Sequence, residues 1–193
     1  MKKIILFVAL SFVVSTSYAQ KKKSVKSTKK VLVSNGLAKA DNLVAEIKEG
    51  NFQLSINENG KPQDAITIKS VDSKFAPMDC KLTAFKASGT TLYLLTWTEK
   101  TQIKTDLKTE DIVTIYSNIY DKTAKKVVFE NKQLTNNITE KVFLDKIKQA
   151  SETQQKVHRE GFEFKLNPDG SVVQKNKAKE YKLVYNATKM MYQ

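Results

Sequence analysis

The chain has 193 residues, of which 40% are apolar, and it carries a formal net charge of +13 at pH 7. This length allows one domain with a real core, or two small ones. Cys80 is the single cysteine, which excludes an internal disulfide, so the fold must be held by packing alone. We interpret Cys80 as a small buried hydrophobe on a strand rather than as a reactive thiol.

Residues 1–19 have the pattern of a bacterial signal peptide. Lys2 and Lys3 precede an apolar run over residues 4–14, and the small residues that follow end at Ala19. This pattern predicts export to the periplasm or the medium, with cleavage after Ala19. The apolar run is too short for a bilayer of roughly 30 Å, and no later stretch is long and apolar enough, so we expect no membrane-spanning segment after cleavage. The residue directly after the cleavage point is Gln20 rather than a cysteine, so we expect no lipid anchor at that point.

Residues 20–30 form a lysine-rich, low-complexity tail with one apolar side chain. Such a segment can bury too little surface to offset the cost of ordering, so we expect it to be disordered. Removing the two signal-peptide lysines and six tail lysines from the net charge of +13 leaves +5 on residues 31–193, the expected single domain. The tail could contact an anionic surface through Lys21, Lys22, Lys23, Lys26, Lys29 and Lys30. Nucleic acid is disfavoured, because the tail has no aromatic side chain to stack on bases and no arginine.

Residues 31–33 fit a first short strand, whereas residues 37–48 are ambiguous. Their apolar positions fit one face of a helix, which we favour, but Leu43–Ile47 fits equally a strand that turns at residues 48–51. Residues 52–56 alternate apolar and polar side chains, and Asn59-Gly60 follows as a tight-turn signal. Residues 65–68 then return as the partner strand.

The centre of the chain predicts an antiparallel meander built around residues 91–98, a run rich in aromatic, leucine and threonine side chains without charge, glycine or proline. Residues 80–87 precede this strand, and residues 112–120 and 126–130 follow it. About eight strands are expected in the whole domain.

Residues 138–160 predict one long helix. Asn137 and Glu140 have capping-box spacing, and Gly161 is placed to end the helix in a left-handed conformation. The apolar side chains Val142, Phe143, Ile147, Ala150 and Val157 approximate one stripe. The expected fold class is therefore α+β: mostly antiparallel sheet, with this helix packed on it.

A second hairpin signal follows at residues 162–173, and residues 180–185 suggest a last strand. Residues 52–60 align without gaps on residues 162–170, and a glycine precedes each segment. Either a duplicated unit or two hairpins with the same turn chemistry accounts for this likeness.

Catalytic motifs are missing from the sequence. His158 is the single histidine, which excludes a multi-histidine zinc site, and neither a phosphate-binding glycine loop nor a nucleophile elbow is found. We expect no cofactor and no metal site. A thiol pair of Cys80 with His158 is one remaining idea. A carboxylate hydrolase is another, with Glu99, Glu110, Asp111, Glu130 and Glu163 as its scattered acids. Adjacent strand positions point to opposite faces, so Glu110 and Asp111 should not converge.

The sequence therefore favours a non-catalytic binding module associated with the cell envelope. Four aromatic residues on predicted strands, Tyr93, Trp97, Tyr116 and Tyr120, would bind a ligand if they shared one exposed face, and would be core if they faced inward. Another envelope protein, a polysaccharide and an anionic surface are the candidate partners. The alternatives are a small carboxylate hydrolase and a structural or assembly subunit of the envelope.

Overall fold

The computed structural model describes residues 36–59 and 61–193, and all regular structure within them is β-strand. The expected α+β class is therefore wrong, because no helix occurs in this part of the chain, while the expectation of a protein rich in antiparallel sheet is confirmed. The predicted signal peptide, the lysine-rich tail and the strand expected at residues 31–33 lie outside the described residues. The fourteen strands are β1 (Ala38–Ala40), β2 (Leu43–Lys48), β3 (Asn51–Glu58), β4 (Lys61–Ser70), β5 (Met78–Ala87), β6 (Thr90–Lys104), β7 (Lys108–Asp121), β8 (Lys126–Phe143), β9 (Ser151–Gly161), β10 (Glu163–Leu166), β11 (Val172–Lys175), β12 (Glu180–Leu183), β13 (Tyr185–Asn186) and β14 (Met191–Tyr192).

Strands β1 to β4 form an antiparallel meander, the N-terminal sheet. The helix favoured for residues 37–48 is wrong, since β1 and β2 occupy these residues. Leu43 and Ala45 are fully buried on one face of β2, which is the period of a strand. Glu49 and Gly50 take positive φ angles and turn the chain into β3, so this turn decides between the two interpretations.

Strands β5 to β9 form the five-stranded central sheet, also an antiparallel meander in chain order. The expected central strand is the first half of β6. It is paired with β5 and β7 and contributes side chains to cores on both of its faces.

The helix expected over residues 138–160 is also wrong, because these residues form the end of β8, a connection and β9. An aliphatic side chain recurs at every fourth residue, at Leu134, Ile138 and Val142. This spacing places the three side chains on one face of a helix, but it places them equally well on one face of a strand. Glu140 caps nothing; it forms an ion pair with Lys156 across the β8–β9 hairpin. Gly161 is left-handed as expected, with φ of 80°, but it ends a strand.

The domain has three layers with the central sheet in the middle. One core cluster joins it to the N-terminal sheet through Phe52, Leu54, Leu95 and Trp97 among others. A second cluster covers the opposite face, where Leu92 and Ile119 pack with residues of the small C-terminal sheets. These are β10–β11–β12 and the pair β13–β14.

The central sheet extends beyond both cores. Neither cluster contains a residue from positions 98–115 or 130–163, which cover the end of β6, the start of β7, most of β8 and all of β9. Eight residues of a strand at about 3.3 Å each make this outer part roughly 25 Å long. Its hairpins and its last strand are therefore available for contacts that the core does not use.

Candidate functional site

The four aromatic residues proposed as a binding surface lie together on one face of the central sheet. Tyr93 is opposite Tyr120, and Trp97 is opposite Tyr116 on β6 and β7. Tyr93, Trp97 and Tyr120 are each only 2% exposed, because this face packs against the N-terminal sheet. The structure thus brings the four together, but as a part of the core, and their role in binding stays a prediction.

A charged pair closes the end of this core. The Trp97 indole N–H donates to Oε1 of Glu99 over 2.7 Å, and the Lys69 ammonium lies 2.5 Å from the same oxygen. Lys69 also stands over the Phe75 ring, 4.3 Å from its centroid. Burial, together with the charge of Glu99, raises the pKa of Tyr116. Glu99 therefore has a structural role here.

The remaining acids do not converge into a catalytic pair. Glu110 contacts Lys108 at 2.5 Å and accepts a hydrogen bond from Asn136 at 2.6 Å, and these contacts lower its pKa. Asp111, on the opposite face, accepts from Gln102. Among residues 36–59 and 61–193, no group of three His, Cys, Asp or Glu side chains could hold a metal ion.

Cys80 and His158 lie on opposite edges of the central sheet, on β5 and β9. Four inter-strand steps of about 4.8 Å separate these edge strands, which is far beyond hydrogen-bonding distance. Cys80 is half-buried against the first core, and burial, with a smaller effect from Asp79, raises the pKa of its thiol to about 11. The arrangement offers no thiol nucleophile activated by the histidine.

The feature that the sequence did not predict is the free edge of β9. In the described residues, β9 pairs with β8 and has no strand on its other side. The Leu144 N–H donates to the Ala150 carbonyl, and this pair continues the β8–β9 register. In an antiparallel pair of strands every second residue pair is hydrogen-bonded, so the even-numbered residues of β9 bond to β8. The backbone N–H and C=O groups of the odd-numbered residues before Gly161 therefore point outward: Ser151, Thr153, Gln155, Val157 and Arg159.

This edge lacks the interruptions found in β4. β4, the comparable edge of the N-terminal sheet, contains Pro62 and two register shifts in its pairing with β3. β9 contains no proline, and all eleven of its residues pair with β8 without a shift. Charged side chains are its only protection against pairing with another chain.

A groove of about 810 Å³ lies beside the last residues of β9. Val157 to Gly161 form one wall, and Glu163 forms another together with Lys175 and residues 176–178 of the β11–β12 turn. Arg159, the only arginine of the chain, and Lys177 are exposed along it. His158 contacts Glu160 at 2.7 Å, and Lys175 contacts Glu180 at 3.0 Å.

Buried Asn131 fixes the position of the second wall. Its amide donates to the Phe162 carbonyl at 3.0 Å and its oxygen accepts from Gln174 at 2.8 Å, which ties β8 to β11. Gly161 allows the chain to leave β9 here, because a Cβ at this position would lie 2.0 Å from the Lys132 carbonyl oxygen. The groove therefore has a defined shape at the end of an open strand.

No protein-family model, curated protein sequence or solved structure matches the chain. A search of the described residues for helices with the length and hydropathy needed to cross a bilayer found none.

Proposed function

We propose that this protein is an exported, non-catalytic binding module that captures an extended segment of another protein by strand addition to β9. The observation that carries the proposal is the eleven-residue, shift-free edge whose odd-numbered residues direct their backbone groups outward. An incoming strand would complete these hydrogen bonds, and every second one of its side chains would lie on each face of the sheet.

Affinity in this mode comes mainly from the main chain. Each hydrogen bond contributes about 0.5–1.5 kcal/mol net, so several along the edge can give useful affinity with limited dependence on the partner's sequence. The groove beyond Val157 supplies selectivity, because a side chain near that end of the added strand would enter it. The predicted signal peptide and the lysine tail support envelope association, and both lie outside the described residues.

Proline at an outward-facing position tests the proposal, because it removes one edge donor without removing a bond to β8. Peptides are selected from a displayed random library on the chain beginning at Gln20, and their dissociation constants are measured for wild type, Gln155→Pro and Gln155→Ala. We expect the proline variant to weaken binding about tenfold or more with little change in melting temperature, and the alanine variant to bind nearly as wild type.

Two results would contradict the proposal. One is a library that yields no enriched peptide on the wild-type chain. The other is a set of enriched peptides that bind Gln155→Pro and wild type equally well, which would place the binding surface elsewhere.

A further inference from the structure

The far end of the central sheet carries a second surface, built from two turns. Residues 105–107 connect β6 to β7, and residues 144–150 connect β8 to β9. The Lys141 N–H donates to the Leu107 carbonyl at 2.8 Å, so the two turns lie side by side. We name residues 104–108 and 141–150 the hairpin tip.

The hairpin tip exposes aliphatic side chains more strongly than any other region described. Ile147 is 72% exposed and Leu144 63%, the two highest values among the large hydrophobic residues of the described chain, and Leu107 is 47% exposed. The turn that displays them is ordered by hydrogen bonds. The Asp145 carboxylate accepts from the N–H groups of Gln149 and Ala150.

Lysines lie close to these aliphatic side chains in the sequence. The hairpin tip contains five lysines and two aspartates: Lys104, Lys108, Lys141, Lys146 and Lys148, with Asp106 and Asp145. The ammonium groups of Lys141 and Lys148 lie 5.7 and 5.6 Å from the Phe143 ring centroid. The aliphatic part of a lysine side chain can lie along an apolar surface while its ammonium group reaches polar groups. This property suits the interfacial region of a membrane.

We propose that the hairpin tip docks on an anionic membrane surface, with Leu144 and Ile147 entering the headgroup layer. Its lysines contact lipid phosphates, except Lys108, which pairs with Glu110. The charge of the hairpin tip is complementary to such a surface, and each lysine close to it adds attraction. It consists of two adjacent turns that expose a few aliphatic side chains beyond the core. A stable protein partner requires about 800 Å² from each side and a matched surface, whereas a fluid headgroup layer adapts to a projection.

Membrane docking of the hairpin tip is independent of the β9 edge, and it is tested on the chain beginning at Gln20. Partition coefficients are measured with vesicles of phosphatidylcholine, with and without about 30% phosphatidylglycerol as the anionic lipid. The variants are the double variant Leu144→Ser/Ile147→Ser, the control Val184→Ser, and a variant with the six tail lysines changed to glutamine. Val184 is a matched control because it is 53% exposed but lies far from the hairpin tip in sequence.

We expect wild type to bind the anionic vesicles and the double variant to bind about tenfold or more weakly, with Val184→Ser near wild type. The tail variant should bind more weakly, and its residual binding should still depend on Leu144 and Ile147. In a Trp97→Phe background, the Ile147→Trp variant should shift its fluorescence to the blue on anionic vesicles.

Three results would overturn the inference. The first is a lack of wild-type binding to anionic vesicles, which would leave the hairpin tip to a protein partner. The second is binding of the double variant equal to that of wild type, which would assign the interaction to the lysine tail. The third is an unshifted emission from the Ile147→Trp variant on vesicles to which the chain is bound.

Discussion

Trp97 and Tyr116 lie directly opposite each other on β6 and β7, and their rings stack with centroids 4.6 Å apart and planes 9° apart. Phe52 of the N-terminal sheet meets the Trp97 ring edge-on at 5.3 Å. One side chain thus links two layers, and its indole N–H is satisfied by Glu99. The Trp97–Tyr116 pair packs the N-terminal sheet against the central sheet, close to the position beyond which the central sheet has no core contacts.

Replacing Trp97 by alanine should cost about 3–5 kcal/mol of the free energy of unfolding, because a large buried side chain is lost and its cavity cannot fully collapse. Urea unfolding followed by circular dichroism measures the change. Ile103→Ala, at a position 49% exposed on the same strand, is the control and should cost less than about 1 kcal/mol. Equal costs for the two variants would contradict the assigned core.

Gly161→Ala should destabilise the domain by more than about 2 kcal/mol, since the new Cβ would collide with the Lys132 carbonyl. Gly89→Ala is a matched control. Gly89 has nearly the same φ, 79°, but nothing lies within 4 Å of its Cβ position, so this variant should cost only about 1 kcal/mol. Thermal unfolding of both variants separates the effect of the collision from the effect of the positive φ angle. Similar losses of stability in the two variants would contradict the close approach of Gly161 to β8.

The central strand and the hairpin turns could be predicted from the sequence because the types of their side chains match the burial and the backbone conformation at each position. Leu92, Tyr93 and Leu95 are apolar where the strand is buried on both faces, and left-handed turn residues mark the hairpin ends. The strand β9 gives no such signal. Val157 is its only aliphatic side chain and is exposed, so the strand depends on backbone pairing with β8 rather than on burial.

The free edge of β9 could not be predicted either, because the side chains of β9 show no pattern of burial. A helix over residues 138–160 would satisfy every backbone group within the segment and leave no free edge. The signal against a helix was the β-branched content of Thr135, Ile138, Thr139 and Val142, which favours a strand. The buried position of Trp97 also required knowledge of the N-terminal sheet, which strand alternation alone does not provide.

Alkylation of Cys80 should be slow at pH 8, about a hundredfold slower than in the urea-unfolded chain, because the thiolate is the reactive form and the folded pKa is about 11. The rate should keep rising about tenfold per pH unit beyond pH 9, where an ordinary thiol levels off. Because the pKa is raised by folding, the associated stability is complete below about pH 8.5 and is lost as the pH rises toward 11. Mass spectrometry of iodoacetamide-treated protein gives the rates, and a plateau near pH 9 would contradict the burial of this thiol.

Amide exchange along β9 should alternate from residue to residue. The N–H groups of Gln154, Lys156 and His158 bond to β8 and should exchange at least about tenfold more slowly than those of Gln155 and Val157, which face outward. Hydrogen–deuterium exchange followed by NMR resolves the individual residues, and the exposed strand supplies its own internal control. Uniformly fast exchange would show that β9 is not paired, and the opposite alternation would place the other set of backbone groups at the edge. Adding a selected peptide should then slow Gln155 and Val157 while leaving the even-numbered residues unchanged, because only the outward groups gain new partners.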